Sequence, residues 1–184
     1  MSLLELSPEL DREEREILEY GYRQLKVNAL TILIVLVAAV VCNVMLQGGI
    51  FLLVFVPLRL YSGGYHADSQ KKCAVISILA LLICFMGIKW IPYMPALHLG
   101  ISTMAAGIIV FMAPVANDVK RLDESEYKVY RYRTRIITGI IYVILLISTV
   151  LQLPYISKPI MMAYILVSIS LILGYLKYQK KKAK

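Results

Sequence analysis

The sequence predicts an all-α polytopic membrane protein with six transmembrane segments, a short or broken second segment and an amphipathic N-terminal helix. Its 184 residues are 59% hydrophobic and only 17% charged, whereas soluble domains average about 25% charged residues. The mean hydropathy is +0.71. Six apolar stretches approach or reach the roughly 20 residues that a helix needs to cross a bilayer. An ordinary water-soluble core is therefore excluded.

The predicted spans leave no room for a separate soluble domain. They cover residues 27–46, 49–61, 73–90, 97–116, 136–153 and 159–177. Residues 1–184 therefore form a single membrane-embedded domain, with an N-terminal arm (1–26), a six-span core (27–177) and a basic tail (178–184). The arm is charged rather than apolar, so no cleavable signal peptide is predicted and the first span is expected to act as its own insertion signal.

The N-terminal arm predicts an amphipathic cytoplasmic helix. Ser7 followed by Pro8 is a typical helix start. Apolar residues then recur at helical spacing, at Leu10, Ile17, Leu18, Tyr22 and Leu25. Because the arm carries seven acids and four bases, we expect it to pack against the protein rather than to bind anionic lipid.

The second segment is shorter than a typical helical span. It is apolar from Ile50 to Leu58, but Pro57, Arg59 and Gly63-Gly64 interrupt it. Irregular backbone at membrane depth is tolerated where it is buried in protein or lines a wet cavity. This segment is therefore a candidate for the functional site before any motif is considered.

Basic residues predict the orientation. Eighteen of the twenty Lys and Arg residues lie in the arm, in the connections 59–72 and 117–135, or at the C-terminal end from Lys177 onwards, and only Lys89 and Lys158 fall in the other turns. Because cytoplasmic connections carry the Lys/Arg excess, both termini and both connections are predicted to be cytoplasmic. The same bias explains much of the net charge of +8, so nucleic-acid binding is not indicated.

The stretch from Arg59 to Cys73 carries the candidate chemistry. Cys73 is the only one of the three cysteines outside an uninterrupted apolar run, since Cys42 and Cys84 lie within spans, where Cys usually acts as a small hydrophobe. The odd number does not indicate a disulfide framework. A thiol becomes a nucleophile when a base, a positive charge or a helix N-terminus favours its thiolate.

All three features are close to Cys73 in the sequence. His66 can act as the base, Lys71 and Lys72 supply positive charge, and Cys73 stands where the third span begins. In one straight helix, His66 and Cys73 would be about 10 Å apart along the axis, too far for a general base. We therefore predict that His66 lies on a turn that folds back over Cys73, which Gly63-Gly64 would permit.

Alternative interpretations apply to each residue of this stretch. A His and a Cys seven residues apart can be coincidental. Arg59 could stabilise an oxyanion or bind a substrate carboxylate, or it could only mark the topology. Asp68 could orient His66, although a solvated loop carboxylate is the simpler interpretation. His98, near the outer end of the fourth span, is interpreted as an interfacial residue.

The pattern R-x6-H-x6-C, with Gly-Gly-Tyr-His inside it, resembles the AgrB family of bacterial quorum-sensing peptidases. The resemblance extends to chain length, to six hydrophobic segments and to Ala113-Pro114 before a basic connection, but only residues 59–73 are specific. It implies a plasma-membrane protein that cleaves an AgrD-like precursor peptide and helps to cyclise it into a thiolactone or lactone. Cys73 would be the nucleophile, His66 its base, and Arg59 and Gly64 supporting positions.

The implied mechanism passes through a thioester on Cys73 and requires neither a metal nor a cofactor. A thiol or hydroxyl of the peptide then displaces the cysteine and closes the ring. A homodimer is expected because dimers are the commonest symmetric assembly. Four basic residues could bind the acidic tail of such a precursor, or could form only a positive-inside anchor: Lys120, Arg121, Arg131 and Arg133.

Three other functions are considered. A non-enzymatic membrane subunit for peptide export or signalling would explain the spans, but not why His66 and Cys73 share one cytoplasmic connection. An intramembrane metalloprotease is not supported, because the sequence has no H-E-x-x-H motif and only two scattered histidines. An acyltransferase that uses Cys73 on lipid substrates remains open.

Overall fold

The structure, a computed structural model, describes residues 18, 22, 25, 26, 29, 32–34, 36–65, 67, 69–115 and 123–182. Its regular elements are helices, and an isolated bridge pairs Gly63 with Val115. The helices are α1 (Ile32–Val41), α2 (Met45–Ser62), α3 (Gln70–Trp90), α4 (Pro95–Met112), α5 (Glu124–Val150) and α6 (Pro154–Lys182). The predicted all-α class is confirmed.

Five helices of the described part, α2 to α6, are long and apolar enough to cross a membrane. The chain is therefore a multispanning membrane protein. Helix α1 is shorter, and the rest of the predicted first span (27–46) extends over residues outside the described ones. The N-terminal arm also lies largely outside them, so its amphipathic helix remains a prediction.

The second segment differs from the prediction. Helix α2 has 18 residues and continues through Pro57, so the span is neither as short nor as broken as expected. It begins four residues early because Asn43 adopts a left-handed conformation (φ 56°) that turns the chain just before it. The helix ends at Gly63 (φ 69°), and Gly64 (φ 117°) follows, so the interruption comes after the span rather than within it.

The basic connection predicted at 117–135 is also revised, because helix α5 begins at Glu124. Asp123 caps this helix: its carboxylate accepts hydrogen bonds from the Glu126 amide (2.7 Å) and the Ser125 hydroxyl (2.8 Å). These bonds hold the pKa of the Asp123 carboxyl below its usual value. With 27 residues, α5 is about 40 Å long, longer than the roughly 30 Å hydrocarbon layer. Its first turns, with Glu124 and Glu126 followed by basic residues from Lys128 onwards, therefore extend beyond the apolar part of the span.

Helix α6 is the centre of the bundle and contacts α2, α3, α4 and α5. Its residues 160–164 are buried, and the Tyr164 hydroxyl donates a 2.7 Å hydrogen bond to the Thr138 carbonyl of α5. The interfacial interpretation of His98 is wrong, because its side chain is only 1% exposed. Its Nδ1 atom lies 2.8 Å from the Met94 carbonyl oxygen, and its ring packs beside Tyr93.

The packing of α2 against α1 and α3 depends on a buried glycine, Gly48, which is followed by a half-buried glycine, Gly49. A Cβ on Gly48 would stand 2.9 Å from the Ala39 Cβ and 3.4 Å from the Phe85 ring, whereas a Cβ on Gly49 would meet nothing within 4 Å. We expect Gly48→Val to lower the free energy of unfolding by about 1–3 kcal/mol through overpacking. Gly49→Val, with the same change in helix propensity, should have little effect. Unfolding in mixed detergent measures both, and equal losses would contradict the packing.

Candidate functional site

The end of α2, the end of α4, the start of α5 and the second half of α6 meet at one end of the bundle. Three contacts establish this arrangement. The amide of Val115, which follows α4, donates a 3.0 Å hydrogen bond to the carbonyl of Ser62, the last residue of α2. The Tyr61 and Tyr130 rings pack edge to face at 5.6 Å. The segment after α2 reaches α6 at Ser170.

Arg59, in the last turn of α2, holds the segment that follows the helix. Its guanidinium donates hydrogen bonds to the Gly63 carbonyl, to the Tyr65 carbonyl (2.5 Å) and to the Ser170 hydroxyl of α6 (2.8 Å). A planar guanidinium has five donors in a fixed geometry and can therefore bind several acceptors at once. Arg59 thus connects the end of one span, the segment that leaves it and the central helix.

The backbone of this segment also binds α6 directly. The Tyr65 amide donates to the Ser170 carbonyl oxygen at 2.8 Å, and the Ser170 hydroxyl lies 3.2 Å from the same amide nitrogen. Since unpaired backbone groups are costly where water is scarce, these bonds position the chain between α2 and α3. The Lys177 ammonium, two turns further along α6, lies 5.3 Å from the centre of the Tyr65 ring.

Two glycines allow this close approach. A Cβ on Gly64 would collide with the Arg59 guanidinium and would stand 2.8 Å from the Ser170 hydroxyl oxygen. A Cβ on Gly174 would lie 2.7 Å from the Gly64 carbonyl carbon and 2.8 Å from the Tyr65 nitrogen. The backbones of the segment and of α6 are therefore in contact, with no space for a side chain on either side.

Cys73 lies in the first turn of α3 and is half-buried. Ser69 caps this helix by accepting a hydrogen bond from the Lys72 amide (3.3 Å), and the Cys73 amide donates to the Ser69 carbonyl (3.0 Å). Cys73 interacts electrostatically with the Arg59 guanidinium. The structure therefore brings together three residues predicted for the site, Arg59, Gly64 and Cys73.

Four predicted site residues, His66, Asp68, Lys120 and Arg121, lie outside the described residues. Their roles remain predictions. The helix that carries Cys73 begins at Gln70, and the described residues just before it, Ala67 and Ser69, are not helical.

Arg131 and Arg133 lie on the second and third turns of α5. Arg133 is exposed, and its guanidinium lies over the Tyr61 ring at 5.4 Å and 3.3 Å from the Tyr61 hydroxyl. Arg133 therefore stands beside the last turn of α2, because Tyr61 lies in that turn, two residues after Arg59. The Nε atom of Arg131 is buried without a hydrogen-bond partner.

Sequence reasoning missed the contribution of α6 to this site. Ser170 and Gly174 are one helical turn apart and interrupt an apolar run. Small residues spaced by four mark close helix contacts in membranes, and this signal could have identified the face. The partner of that face could not have been identified, because it is an irregular segment more than 100 residues away.

The fold and the site define a multispanning membrane protein with a polar site at one end of its helix bundle, next to a half-buried cysteine. The family model described as "Accessory gene regulator B" matches residues 2–173. The chain therefore belongs to the AgrB family, and the resemblance based on residues 59–73 is confirmed.

Two AgrB-like proteins of Clostridium perfringens are similar to part of the chain. AgrB-like protein 2 of strain 13 / Type A is 38% identical, and an AgrB-like protein of strain SM101 / Type A is 35% identical, each over 74 residues. These matches cover 40% of this chain and 34% of each relative, so the chain spans about a third of the length of the curated relatives it matches. No solved structure matches the chain.

The contact between Gly174 and the segment after α2 can be tested by adding one methyl group. Gly174→Ala should force that segment away from α6 and lower the free energy of unfolding by about 1–3 kcal/mol. It should also change the rate at which a water-soluble thiol reagent labels Cys73, measured in a protein without Cys42 and Cys84. Gly139→Ala is the matched control, because a Cβ at Gly139 meets nothing within 4 Å. An unchanged labelling rate in Gly174→Ala would contradict the contact.

Proposed function

We propose that this protein is a membrane cysteine endopeptidase that cleaves an AgrD-like precursor peptide and promotes its cyclisation into an autoinducing thiolactone or lactone. The observation that carries the proposal is the position of Cys73. This thiol lies in the first turn of α3, half-buried and within electrostatic range of a guanidinium that is itself fixed by three hydrogen bonds. Membership of the AgrB family supports the same function.

The surroundings of Cys73 suit a thiolate nucleophile. A thiolate formed there faces the Arg59 charge and stands near the N-terminus of α3, whose dipole favours negative charge. Arg59 has hydrogen bonds to fixed acceptors on α6 and on the preceding segment, so its charge does not have to reorganise during the reaction. We assign Arg59 and Gly64 to positioning this site.

The proposed reaction begins when His66 takes the proton from Cys73. The Cys73 sulfur then bonds to the carbonyl carbon of the scissile peptide bond, the C–N bond breaks, and His66 returns the proton to the leaving amine. Asp68 would orient His66. A thiol or hydroxyl within the bound peptide next gives its proton to His66 and attacks the thioester carbonyl, so that the ring closes, the C–S bond breaks and Cys73 leaves as a thiolate that regains the proton from His66. Partial burial of Cys73 limits competing hydrolysis.

The proposed topology has six crossings of the bacterial plasma membrane, with both termini and the site cytoplasmic. Its support is the distribution of charge. Helix ends that meet near Arg59 are those flanked by most of the Lys and Arg residues, which mark cytoplasmic connections. The first crossing would contain α1, the whole chain would form one membrane domain, and two copies could assemble as a homodimer.

The endopeptidase proposal is tested with purified protein in liposomes and a synthetic AgrD-like precursor. We expect Cys73→Ala to abolish cleavage and to remove a precursor-derived thioester adduct that mass spectrometry detects on the wild type, and His66→Ala to slow cleavage at least about a hundredfold. Cys42→Ala is the matched control, because Cys42 is a half-buried cysteine of a different helix end, and it should process normally. If Cys73→Ala still processes the precursor, the protein acts instead as a non-enzymatic subunit for export or signalling.

We further propose that the basic residues next to this site bind the acidic tail of the precursor. Arg133 is exposed beside Tyr61 at the end of α2, so a bound tail would hold the cleavage point near Cys73. Arg131 lies two residues before Arg133 in α5. Together with Lys120 and Arg121, which are predicted contributors, it would extend the positive surface.

Charge reversal separates substrate binding from topology. Arg131→Glu with Arg133→Glu should raise the KM for the precursor at least about tenfold, since each removes a charge-assisted contact, with kcat less affected. Arg135→Glu reverses a charge in the same part of α5 and serves as the topological control, and Tyr61→Phe controls for loss of the Arg133 hydrogen bond. Unchanged KM values in the double variant, with unchanged topology, would rule out this binding site.

A further inference from the structure

The end of the bundle opposite Arg59 holds a polar pocket. Its volume is about 260 Å³. The residues that line it come from the turn before α2, the first turn of α2, the end of α3 and the start of α6, and they include Asn43, Gln47, Lys89, Pro154, Tyr155 and Lys158. This pocket contains Lys89 and Lys158, the two basic residues that lie outside the regions predicted to be cytoplasmic from their Lys and Arg content.

The two lysines share this pocket without an acidic residue among its lining residues. The sequence places none nearby either, since it has no Asp or Glu at positions 20–67, 69–117 or 127–184. Helices α3 and α6 therefore carry no carboxylate that could pair with Lys89 or Lys158. Lys158 is half-buried and Lys89 is exposed, and a surface that carries lysines without carboxylates has a positive potential that favours an anion.

The remaining polar groups of the pocket suit an oxygen-rich anion. The amides of Asn43 and Gln47 and the hydroxyl of Tyr155 can each donate hydrogen bonds. Helix α6 begins at Pro154, so the positive end of its dipole also points towards the pocket. Several neutral donors, two ammonium groups and a helix N-terminus together match the oxygens of a phosphate group.

The level of the pocket in the bundle identifies the source of that phosphate. Trp90 and Tyr155 flank it with side chains that are 73% and 57% exposed, and the Lys89 ammonium lies 5.7 Å from the centre of the Trp90 ring. Exposed Trp and Tyr at the ends of spans mark the interface where lipid headgroups lie. We propose that this pocket binds the headgroup phosphate of an anionic glycerophospholipid, independently of any peptide processing.

The only tryptophan of the chain, Trp90, provides the measurement. The whole protein is reconstituted in vesicles of phosphatidylcholine that contain either dibrominated phosphatidylglycerol or dibrominated phosphatidylcholine, with bromines close to the headgroup. Bromine quenches the fluorescence of Trp90 when the labelled lipid occupies the pocket. We expect the phosphatidylglycerol probe to quench at a several-fold lower mole fraction than the phosphatidylcholine probe.

Lys158 is the residue to change, because Lys89 contacts Trp90 and its replacement would alter the fluorescence directly. Lys158→Gln should reduce the preference for phosphatidylglycerol about fivefold, the share expected from one lysine at an anionic surface. Lys158→Arg keeps the charge and should retain the preference. Lys180→Gln removes an exposed charge at the other end of α6 and is the matched control.

Three results would overturn the proposal. The first is equal quenching of the wild type by the two probes, and the second is a full preference for phosphatidylglycerol in Lys158→Gln. The third is loss of the preference when excess inorganic phosphate replaces chloride at constant ionic strength, which would assign the pocket to a soluble anion. The wild-type comparison and the Lys158→Arg variant keep the test decisive if Lys158→Gln does not fold.

Discussion

The hydrogen bonds of the Arg59 guanidinium are the interaction on which the candidate site depends. The chain leaves helical geometry after Ser62, at the end of a span, and its carbonyl groups lose their intrahelical partners there. Gly63 and Tyr65 are half-buried and Gly64 is buried in the protein, so each carbonyl needs a donor from the protein. Arg59 donates to two of these carbonyls and to Ser170 of α6. One side chain therefore stabilises an irregular segment that would otherwise be costly.

The rest of the site follows from how closely that segment approaches the central helix. Gly64 and Gly174 place two backbones in contact, and Gly63 pairs with Val115 after α4. The segment is thus held on both sides before it enters α3, the helix that carries Cys73. Cys73 is thus on a regular helix close to backbone that is fixed at Gly63, Gly64 and Tyr65.

The two ends of the bundle differ in their chemistry. All acidic residues of the sequence lie before residue 20, at Asp68, or between residues 118 and 126. The end near Arg59 therefore has both signs of charge available in its connections, whereas the opposite end has lysines, amides and aromatic hydroxyls without carboxylates.

Hydrophobic length, charge distribution and the Arg59-to-Cys73 spacing were sufficient to predict the all-α class, the multispanning character and the family, because these signals are local in the sequence. Tertiary structure decided where helices begin and end. Pro57 does not interrupt α2. Helix α5 starts at the Asp123 cap rather than at the first long apolar run, and His98 is buried. It also decided that Ser170 and Gly174 complete the site. Their partners lie more than 100 residues away, and such contacts depend on how helices pack, which no local pattern specifies.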